Sequence, residues 1–414
     1  MFNLIKFELR KMGKKRFNII TILVSVIITI ITFSMPITRF EYRGIRGHRT
    51  GLKAIELKKQ DAKKLPTKVT ENQVAKDIKD YQRLFSNPKN TIKKENGQLS
   101  LKNSVDDKYV IPKFNYLLMI SENYYEPDDQ GYDFSNLRRL KLKNGAKFYE
   151  TRKNKISTFL NMNHKGGNYS DSEKKFWINK TSKIKAPYSY GYYTGWSALL
   201  KYIGALFFTL LAIIIIVAPV FSGEYQCGAD SIILSSKYGK TKIIKAKIIA
   251  AFAFATIIFV LNLIFALAIP LLAFGTSGWN LSIQIQDTMI PYSTTFLKTT
   301  FMFIGIIYVV ILGTVSFTLL LSSKFKTSFT VLIVQIVILF ISLFMKEGAE
   351  NGFFNHILYL LPSKAINADV LTYLSYSFGG ITVSLLLMRV IVYGAIGVIS
   401  LPFARNAFRK HQVQ

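Results

Sequence analysis

Apolar residues in this chain are gathered into long runs separated by polar and basic segments, rather than spread with helical or strand periodicity. Runs of this length allow a helix to cross a hydrocarbon core of about 30 Å. The segregation therefore predicts a polytopic membrane protein. We expect six transmembrane helices, at residues 18–38, 197–221, 248–274, 299–321, 328–345 and 381–404.

The segment before the first run, residues 1–17, has an amphipathic pattern. Phe2, Ile5, Leu9 and Met12 share one helical face, and basic residues occupy the rest. Such a pattern is typical of an interfacial helix, here at the cytoplasmic leaflet.

Residues 39–196 form the longest polar stretch, which we call the inserted domain. With the amino terminus in the cytoplasm, the domain that follows the first span is expected outside the cell. Basic residues outnumber acidic ones in it, but long domains cross the membrane largely regardless of charge. Ser170 and Glu173 have the spacing of a helix capping box. The patterning predicts helices at 54–85 with a break near Pro66, at 115–123, 134–160 and 170–184, and short strands near 98–101 and 109–111.

The other polar segments complete the expected topology, with both termini in the cytoplasm. They are a cytoplasmic coupling segment at 222–247, an external loop at 275–298, a cytoplasmic turn at 322–327, an external re-entrant segment at 346–380 and a cytoplasmic tail at 405–414. The predicted fold class is therefore an all-α polytopic membrane protein with six transmembrane helices and a mostly helical extracytoplasmic domain between the first two.

The coupling segment is a polar and basic island between two long apolar runs. Its lysines outnumber its two acidic residues, Glu224 and Asp230, and short loops with that bias lie in the cytoplasm. A surface for a cytoplasmic partner is the interpretation that this position favours.

The same segment resembles the coupling segment of ABC type-2 exporter permeases. The residues that carry the resemblance are Glu224, Gly228, Leu234-Ser235-Ser236, Gly239-Lys240 and Lys247. Lys237-Tyr238 stands where that family usually has proline. The inserted domain is similar to that of a subgroup from Gram-positive bacteria, through 146–152, 172–177, 187–190 and 195–196.

The resemblance implies a permease in a bacterial cell membrane, working with a second permease copy or a paralogue. It also implies two cytoplasmic ABC ATPase subunits that carry the ATP and Mg²⁺, with no cofactor on this chain. Amphipathic peptides such as antimicrobial peptides, or lipids, are the implied substrates. The residues implied to couple the ATPase are Glu224, Gly228, Leu234 and Lys240.

The energy source follows from the residues as well. The predicted spans have no Asp or Glu in their interiors, which argues against transport driven by protons or sodium. Gly239-Lys240-Thr241 looks like the end of a phosphate-binding P-loop, but Leu234 occupies the position of the required first glycine. We therefore place ATP hydrolysis on another chain.

Composition changes this picture little. The net charge of +30, from 54 basic and 24 acidic residues, would suggest nucleic acid in a soluble protein, but no nucleic-acid module is visible. Cys227 is the single cysteine, and the four histidines lack ligand spacing, so no metal site is expected. No catalytic constellation can be placed either, and the chain is not expected to be an enzyme.

Three features outside the coupling segment are candidate contacts, each with a simpler alternative. For Arg389, within the sixth span, one expectation is that it faces a substrate path or the partner permease. The simpler alternative is that its side chain snorkels to the outer interface. The acidic stretch with Glu126 and Asp128 docks a cationic peptide, or it is a solvated loop. The aromatic cluster before the second span is an aromatic belt or a substrate vestibule; its members are Tyr188, Tyr190, Tyr192, Tyr193 and Trp196.

Two further expectations concern single side chains. Asn262 and Gln335, inside the third and fifth spans, are predicted to form hydrogen bonds between helices. Glu224 is predicted to anchor one short helix over 223–235, either at the positive amino end of that helix or by pairing with a basic residue. The alternative function is a non-transporting sensor whose external domain binds a ligand and signals through the coupling segment.

Overall fold

The computed structural model describes residues 1–44, 46–93, 95, 97, 99–126, 134–142, 145–348 and 351–411. Its α-helices are α1 (Phe2–Lys14), α2 (Arg16–Thr38), α3 (Gly51–Ala62), α4 (Glu71–Ser86), α5 (Asn103–Tyr109), α6 (Phe114–Asn123), α7 (Ser135–Arg139), α8 (Phe148–Asn161), α9 (Asp171–Ser182), α10 (Thr194–Tyr202), α11 (Phe207–Val217), α12 (Pro219–Gln226), α13 (Ala229–Ser235), α14 (Ile244–Phe274), α15 (Phe296–Lys324), α16 (Ser328–Phe344), α17 (Phe353–Leu358), α18 (Pro362–Ala365) and α19 (Leu385–Arg409). The strands are β1 (Glu41–Gly44), β2 (Gly47–Thr50), β3 (Lys68–Val69), β4 (Thr91–Lys93), β5 (Leu99–Leu101), β6 (Tyr188–Ser189), β7 (Ser375–Phe378) and β8 (Ile381–Ser384).

Long apolar helices dominate the fold, as the runs in the sequence predict. Among the described residues, five are long and apolar enough to cross a membrane: Arg16–Thr38, Thr194–Gln226, Gly239–Phe274, Phe296–Lys324 and Leu385–Arg409. The helix α16 is also apolar but has 17 residues, a length of about 26 Å. The protein is therefore a mostly helical, multi-pass membrane protein.

Several boundaries differ from those read from hydropathy. The second long helix begins at Thr194, inside the expected polar domain, and the third begins at Gly239, inside the expected coupling segment. The last begins at Leu385, because Ile381–Ser384 is a strand paired with Ser375–Phe378. Hydropathy marks the apolar centre of a helix, whereas its ends are set by local hydrogen bonds that apolar content does not reveal.

The two ends of the long helices carry different structures. We call the end that carries the inserted domain the domain side, and the opposite end, which carries α1 and α13, the loop side. On the loop side, Lys15 is extended and separates α1 from α2, and the Asn18 side-chain amide donates to the Met12 carbonyl at 2.7 Å. On α1, Met12 is buried and Phe2 is exposed, so the predicted apolar face is only partly covered by the protein.

Polar side chains and one close crossing join the long helices. The Thr29 hydroxyl of α2 donates to Asn262 Oδ1 of α14 at 2.7 Å, and Gln335 Nε2 of α16 donates to Thr318 Oγ1 of α15 at 2.8 Å. Both predicted interhelical bonds are thus confirmed. The helices α15 and α19 cross at Gly313, where an added Cβ would lie 2.6 Å from the Tyr393 carbonyl oxygen, so only glycine allows this approach.

The inserted domain combines helices α3–α9 with two-stranded antiparallel ribbons, β1–β2, β3–β6 and β4–β5. The Ser170–Glu173 capping box of α9 is confirmed. The expected strand near 109–111 is wrong, since Tyr109 ends α5 and a 3-10 turn follows, and the expected helix at 134–160 is two helices, α7 and α8.

Buried polar contacts hold the inserted domain on the domain-side loops. Arg152 of α8 donates from Nε to the Thr288 carbonyl at 2.6 Å and from Nη2 to the Ile290 carbonyl at 3.3 Å, both in the α14–α15 loop. Trp177 of α9 donates to Ser375 Oγ at 3.2 Å, just before α19. These contacts fix the domain to the α14–α15 loop and to β7, the strand that precedes β8 and α19.

Candidate functional site

The coupling segment on the loop side is a bent pair of short helices. The helix α12 continues the second long helix to Gln226, and Gly228 at φ 69° separates it from α13. The single helix expected over 223–235 is therefore wrong. Glycine adopts a positive φ at little cost, and this conformation ends α12 before α13 begins.

Glu224 lies at the centre of an ionic network that joins three elements. Its Oε1 accepts from Lys11 Nζ of α1 and from Lys247 Nζ of α14, each at 2.6 Å. Lys247 Nζ also lies 3.2 Å from Glu8 Oε2 of α1. The expected place of Glu224 at a helix amino terminus is wrong, because it lies in the last turn of α12; its other expected role, pairing with basic residues of the chain, is what the structure shows.

The centre of the network is buried, whereas Lys11 at its edge is partly exposed, and burial makes the charge balance at the centre important. Glu224 is 4% exposed and Lys247 is 2% exposed. Two carboxylates face two ammonium groups, so neither lysine is left without a counter-charge, and removal of one partner from a buried pair is costly. Burial lowers the pKa of Lys11, but its hydrogen bond and attraction to Glu224 outweigh this and hold that pKa above its usual value.

Glu8 and Lys11 were not singled out from the sequence. They lie three residues apart on α1, and therefore on one helical face, but that spacing is common on amphipathic helices. A cavity of about 220 Å³ adjoins all four charged side chains and Cys227. The free thiol of Cys227 is exposed.

The end of α19 holds the other side of the coupling segment. Asp230 of α13 lies 3.4 Å from His411 Nε2. The Tyr225 ring stacks on Phe408 at 5.5 Å between ring centroids and lies 4.3 Å from the His411 ring. The coupling segment thus contacts the amino-terminal helix on one side and the end of the last helix on the other.

The remaining coupling residues take distinct positions. Leu234 is buried and anchors α13, whereas Lys240 is exposed. Ile232 of α13, between Ser231 and Ile233, is 73% exposed. Ile232 and Lys240 are therefore both exposed on the loop side.

The P-loop-like residues have a structural role. Gly239 packs so closely that an added Cβ would lie 1.5 Å from the Ile233 carbonyl oxygen. The amides of Thr241 and Ile243 both donate to the Tyr238 carbonyl at 3.2 Å. Backbone amides that would have to cradle a phosphate are therefore used inside the turn that starts the third long helix.

Arg389 does not snorkel, which corrects the simpler sequence interpretation. Its side chain is 0% exposed and donates to the carbonyls of Tyr359, Lys364 and Asn367, at 3.0 to 3.2 Å. It also pairs with Asp369 at 2.5 Å. These partners lie in the segment between α16 and β7, so Arg389 holds that segment onto α19 and does not face an open path within this chain.

The aromatic cluster is not a belt facing lipid headgroups. Tyr190, Tyr193 and Trp196 are all buried. Tyr193 stacks on Phe296 at 5.0 Å, and Trp196 Nε1 donates to the Thr276 carbonyl at 2.9 Å. The cluster joins the inserted domain to the domain-side ends of the helices, a role that local sequence could not reveal because its partners lie far along the chain.

The acidic stretch is only partly described. Glu126 is exposed, and Asp128 lies outside the described residues. Glu122 points inward instead, where burial and the charge of Asp287 raise its pKa to about 7. The described acidic residues of this stretch therefore do not form one surface patch.

Comparison with known protein families agrees with this architecture. The family model described as ABC-2 family transporter protein matches residues 2–402, nearly the whole chain. The comparisons with curated proteins and with solved structures find no match. Members of this family are the membrane components of ABC transporters and associate with ABC ATPases. We conclude from the extent of this match, together with the long apolar helices, that the chain belongs to the ABC-2 family of transporter proteins.

Proposed function

We propose that this chain is the permease of an ATP-driven exporter in a bacterial cell membrane. Two permeases, either two copies or this chain and a paralogue, enclose the path, and two cytoplasmic ATPases carry the ATP and Mg²⁺. The long helices and α16 make six spans, with both termini and the loop side in the cytoplasm and the inserted domain outside. Amphipathic peptides, or lipids, are the substrates that the resemblance to exporter permeases suggests.

The observation that carries this proposal is the way in which the coupling segment is built. A partner that moves α13 through Ile232 acts on the helix next to Glu224, and Glu224 is bonded to both α1 and α14. Motion at the loop side would then reach the second and third long helices together. Such a device requires a rigid connection to the spans, which the buried ions supply.

The transport proposal is tested with the chain and the ATPase that co-purifies with it. In inside-out vesicles, we expect ATP to drive uptake of a fluorescently labelled cationic amphipathic peptide. Vesicles that lack the permease, or that carry an ATPase unable to hydrolyse ATP, are the controls. If the external domain binds the peptide and changes ATPase activity without any flux, the chain is a sensor and the exporter proposal fails.

The proposed orientation gives a separate prediction. In a Cys227→Ser background, a cysteine at the exposed Lys53 position should react with an impermeant maleimide in intact cells, and one at Ser236 only after permeabilisation. The reason is that the two sites lie on the domain side and the loop side, respectively. Labelling of the Ser236 position in intact cells would reverse the proposed topology.

A further inference from the structure

Two adjoining cavities lie where the inserted domain meets the membrane helices. The lower cavity, of about 350 Å³, is lined by the domain-side ends of α2, α10 and α14, together with residues of the inserted domain. The upper cavity, of about 270 Å³, lies within the inserted domain. Both are lined by Glu41, Lys58, Asn115, Tyr193 and Thr194, so they meet at one surface.

Positive charge is concentrated in the lower cavity. Arg39, Lys58 and Lys201 line it, and among the described residues none of the three forms an ion pair. The carboxylate that lines it, Glu41, is largely exposed and lies 3.4 Å from His48 Nε2.

The cations of the upper cavity provide the contrast. Lys113 lies 2.9 Å from Asp77, and Arg43 lies 2.6 Å from Asp107. Both are therefore neutralised within the protein, whereas Lys58, which lines both cavities, has no ion-pair partner among the described residues.

Lys58 is held in this position by its own helix. Its neighbour Lys59 donates to the Ala273 carbonyl at 3.1 Å, at the carboxyl end of α14, and this bond fixes α3 over the third long helix. Lys58 Nζ then lies 5.4 Å from the centre of the Phe40 ring. Burial lowers the pKa of Lys58 to about 8.

A partly buried ammonium without a counter-charge, such as that of Lys58, is unfavourable. The cation–π contact with Phe40 offsets only part of such a cost. An anion between Lys58, Arg39 and Lys201 would supply the missing counter-charge.

The walls of the lower cavity indicate the kind of anion. Met35, Pro36 and Phe274 are at or near the last turns of α2 and α14, so the cavity lies at the level where lipid headgroups meet the hydrocarbon. Below it, α2 exposes Ile27 and Ile31. An amphiphile whose acidic group lies among the three cations could therefore lay its acyl chains along α2.

We propose that the lower cavity binds the phosphate of an anionic phospholipid from the domain-side leaflet, with Arg39, Lys58 and Lys201 as its ligands. The bound lipid would tie α3 of the inserted domain to the first and second long helices. The site does not depend on how, or whether, the chain couples to an ATPase.

The test uses the purified full chain in an uncharged detergent, with short-chain phosphatidylglycerol as the probe. We expect phosphatidylglycerol to raise the unfolding temperature in a saturable manner, and phosphatidylcholine to have little effect. Lys58→Gln should weaken phosphatidylglycerol binding about tenfold, since it removes one charged donor to the phosphate. Lys58→Arg should stay within about threefold of the wild type, and the exposed Lys53→Gln on the same helix should bind as the wild type does.

A second measurement separates a binding role from a structural one. Without lipid, Lys58→Gln should be at least as stable as the wild type, because the variant removes an uncompensated ammonium. A lower unfolding temperature in the absence of lipid would show an internal partner for Lys58 and overturn the proposal. Equal affinity of Lys58→Gln, or equal effects of phosphatidylcholine, would also overturn it. Inorganic phosphate binding as tightly as phosphatidylglycerol would identify a free-anion site instead of a lipid site.

Discussion

Glu224→Gln should uncouple ATP hydrolysis from transport, with at least a tenfold fall in substrate moved per ATP. The amide keeps the shape of the side chain but leaves the buried Lys247 and the half-exposed Lys11 with Glu8 as their single carboxylate. We also expect a loss of about 3 kcal/mol in the free energy of unfolding, since a buried ion has lost a partner. Thermal unfolding of the purified permease and flux per ATP in vesicles measure the two effects separately.

The lysine side of the network supplies the matched control. Lys247→Met should act like Glu224→Gln, whereas Lys245→Met, at an exposed position of the same helix, should leave stability and flux unchanged. The double variant Glu224→Gln/Lys11→Met restores charge balance and should recover part of the stability. Normal flux per ATP in a stably folded Glu224→Gln variant would remove this residue from the coupling mechanism.

Arg389→Met should be among the most destabilising single substitutions in the chain. It removes four hydrogen bonds and leaves Asp369 without its cation, so we expect a loss of about 3 to 5 kcal/mol in the free energy of unfolding. The segment between α16 and β7 should then detach from α19. Thermal unfolding and limited proteolysis of that segment, followed by mass spectrometry, test the two parts of this expectation.

Two variants distinguish the role of Arg389 in holding the α16–β7 segment from a general effect of charge. Arg409→Met, at an exposed position of the same helix, should unfold as the wild type does. Arg389→Lys should recover only part of the stability, because an ammonium lacks the planar fork that reaches several carbonyls at once. If Arg389→Met unfolds normally but loses transport, the side chain belongs to a substrate path, and the interpretation that it holds the α16–β7 segment is wrong.

The sequence was most reliable where one physical rule dominates. A helix in hydrocarbon must satisfy its backbone hydrogen bonds internally, so a long apolar run such as the one that forms α15 can be recognised from composition alone. The same rule predicted hydrogen bonds between helices at Asn262 and Gln335, because a polar side chain in hydrocarbon needs a hydrogen-bond partner. It fails at helix ends, as at Ile381–Ser384, where strand pairing decides the boundary.

The coupling segment could be located from the sequence, but its geometry could not be predicted. Glu224 was recognised by the residues around it, yet its partner Lys11 lies 213 residues away and Glu8 lies 239 residues from Lys247. For Arg389 and Tyr193 the simpler of the two expectations was the membrane surface, because in sequence a charge or aromatic ring near a span end resembles an interfacial anchor. In the fold, each is covered by another part of the chain, Arg389 by the segment that contains Asp369 and Tyr193 by Phe296 of α15.

By itself, the sequence determined the membrane class and the long apolar helices, and it marked out the polar segment between the second and third of them, because each depends on composition over a continuous stretch. The tertiary structure alone decided which charges are neutralised. Glu224 and Arg389 form ion pairs through packing, whereas Lys58 lies beside a cavity with no ion-pair partner in the part of the chain that the structure describes. The physical reason is that the contribution of a buried charge to the free energy of folding depends on the groups within a few ångströms of it. The fold brings those groups together from anywhere along the chain.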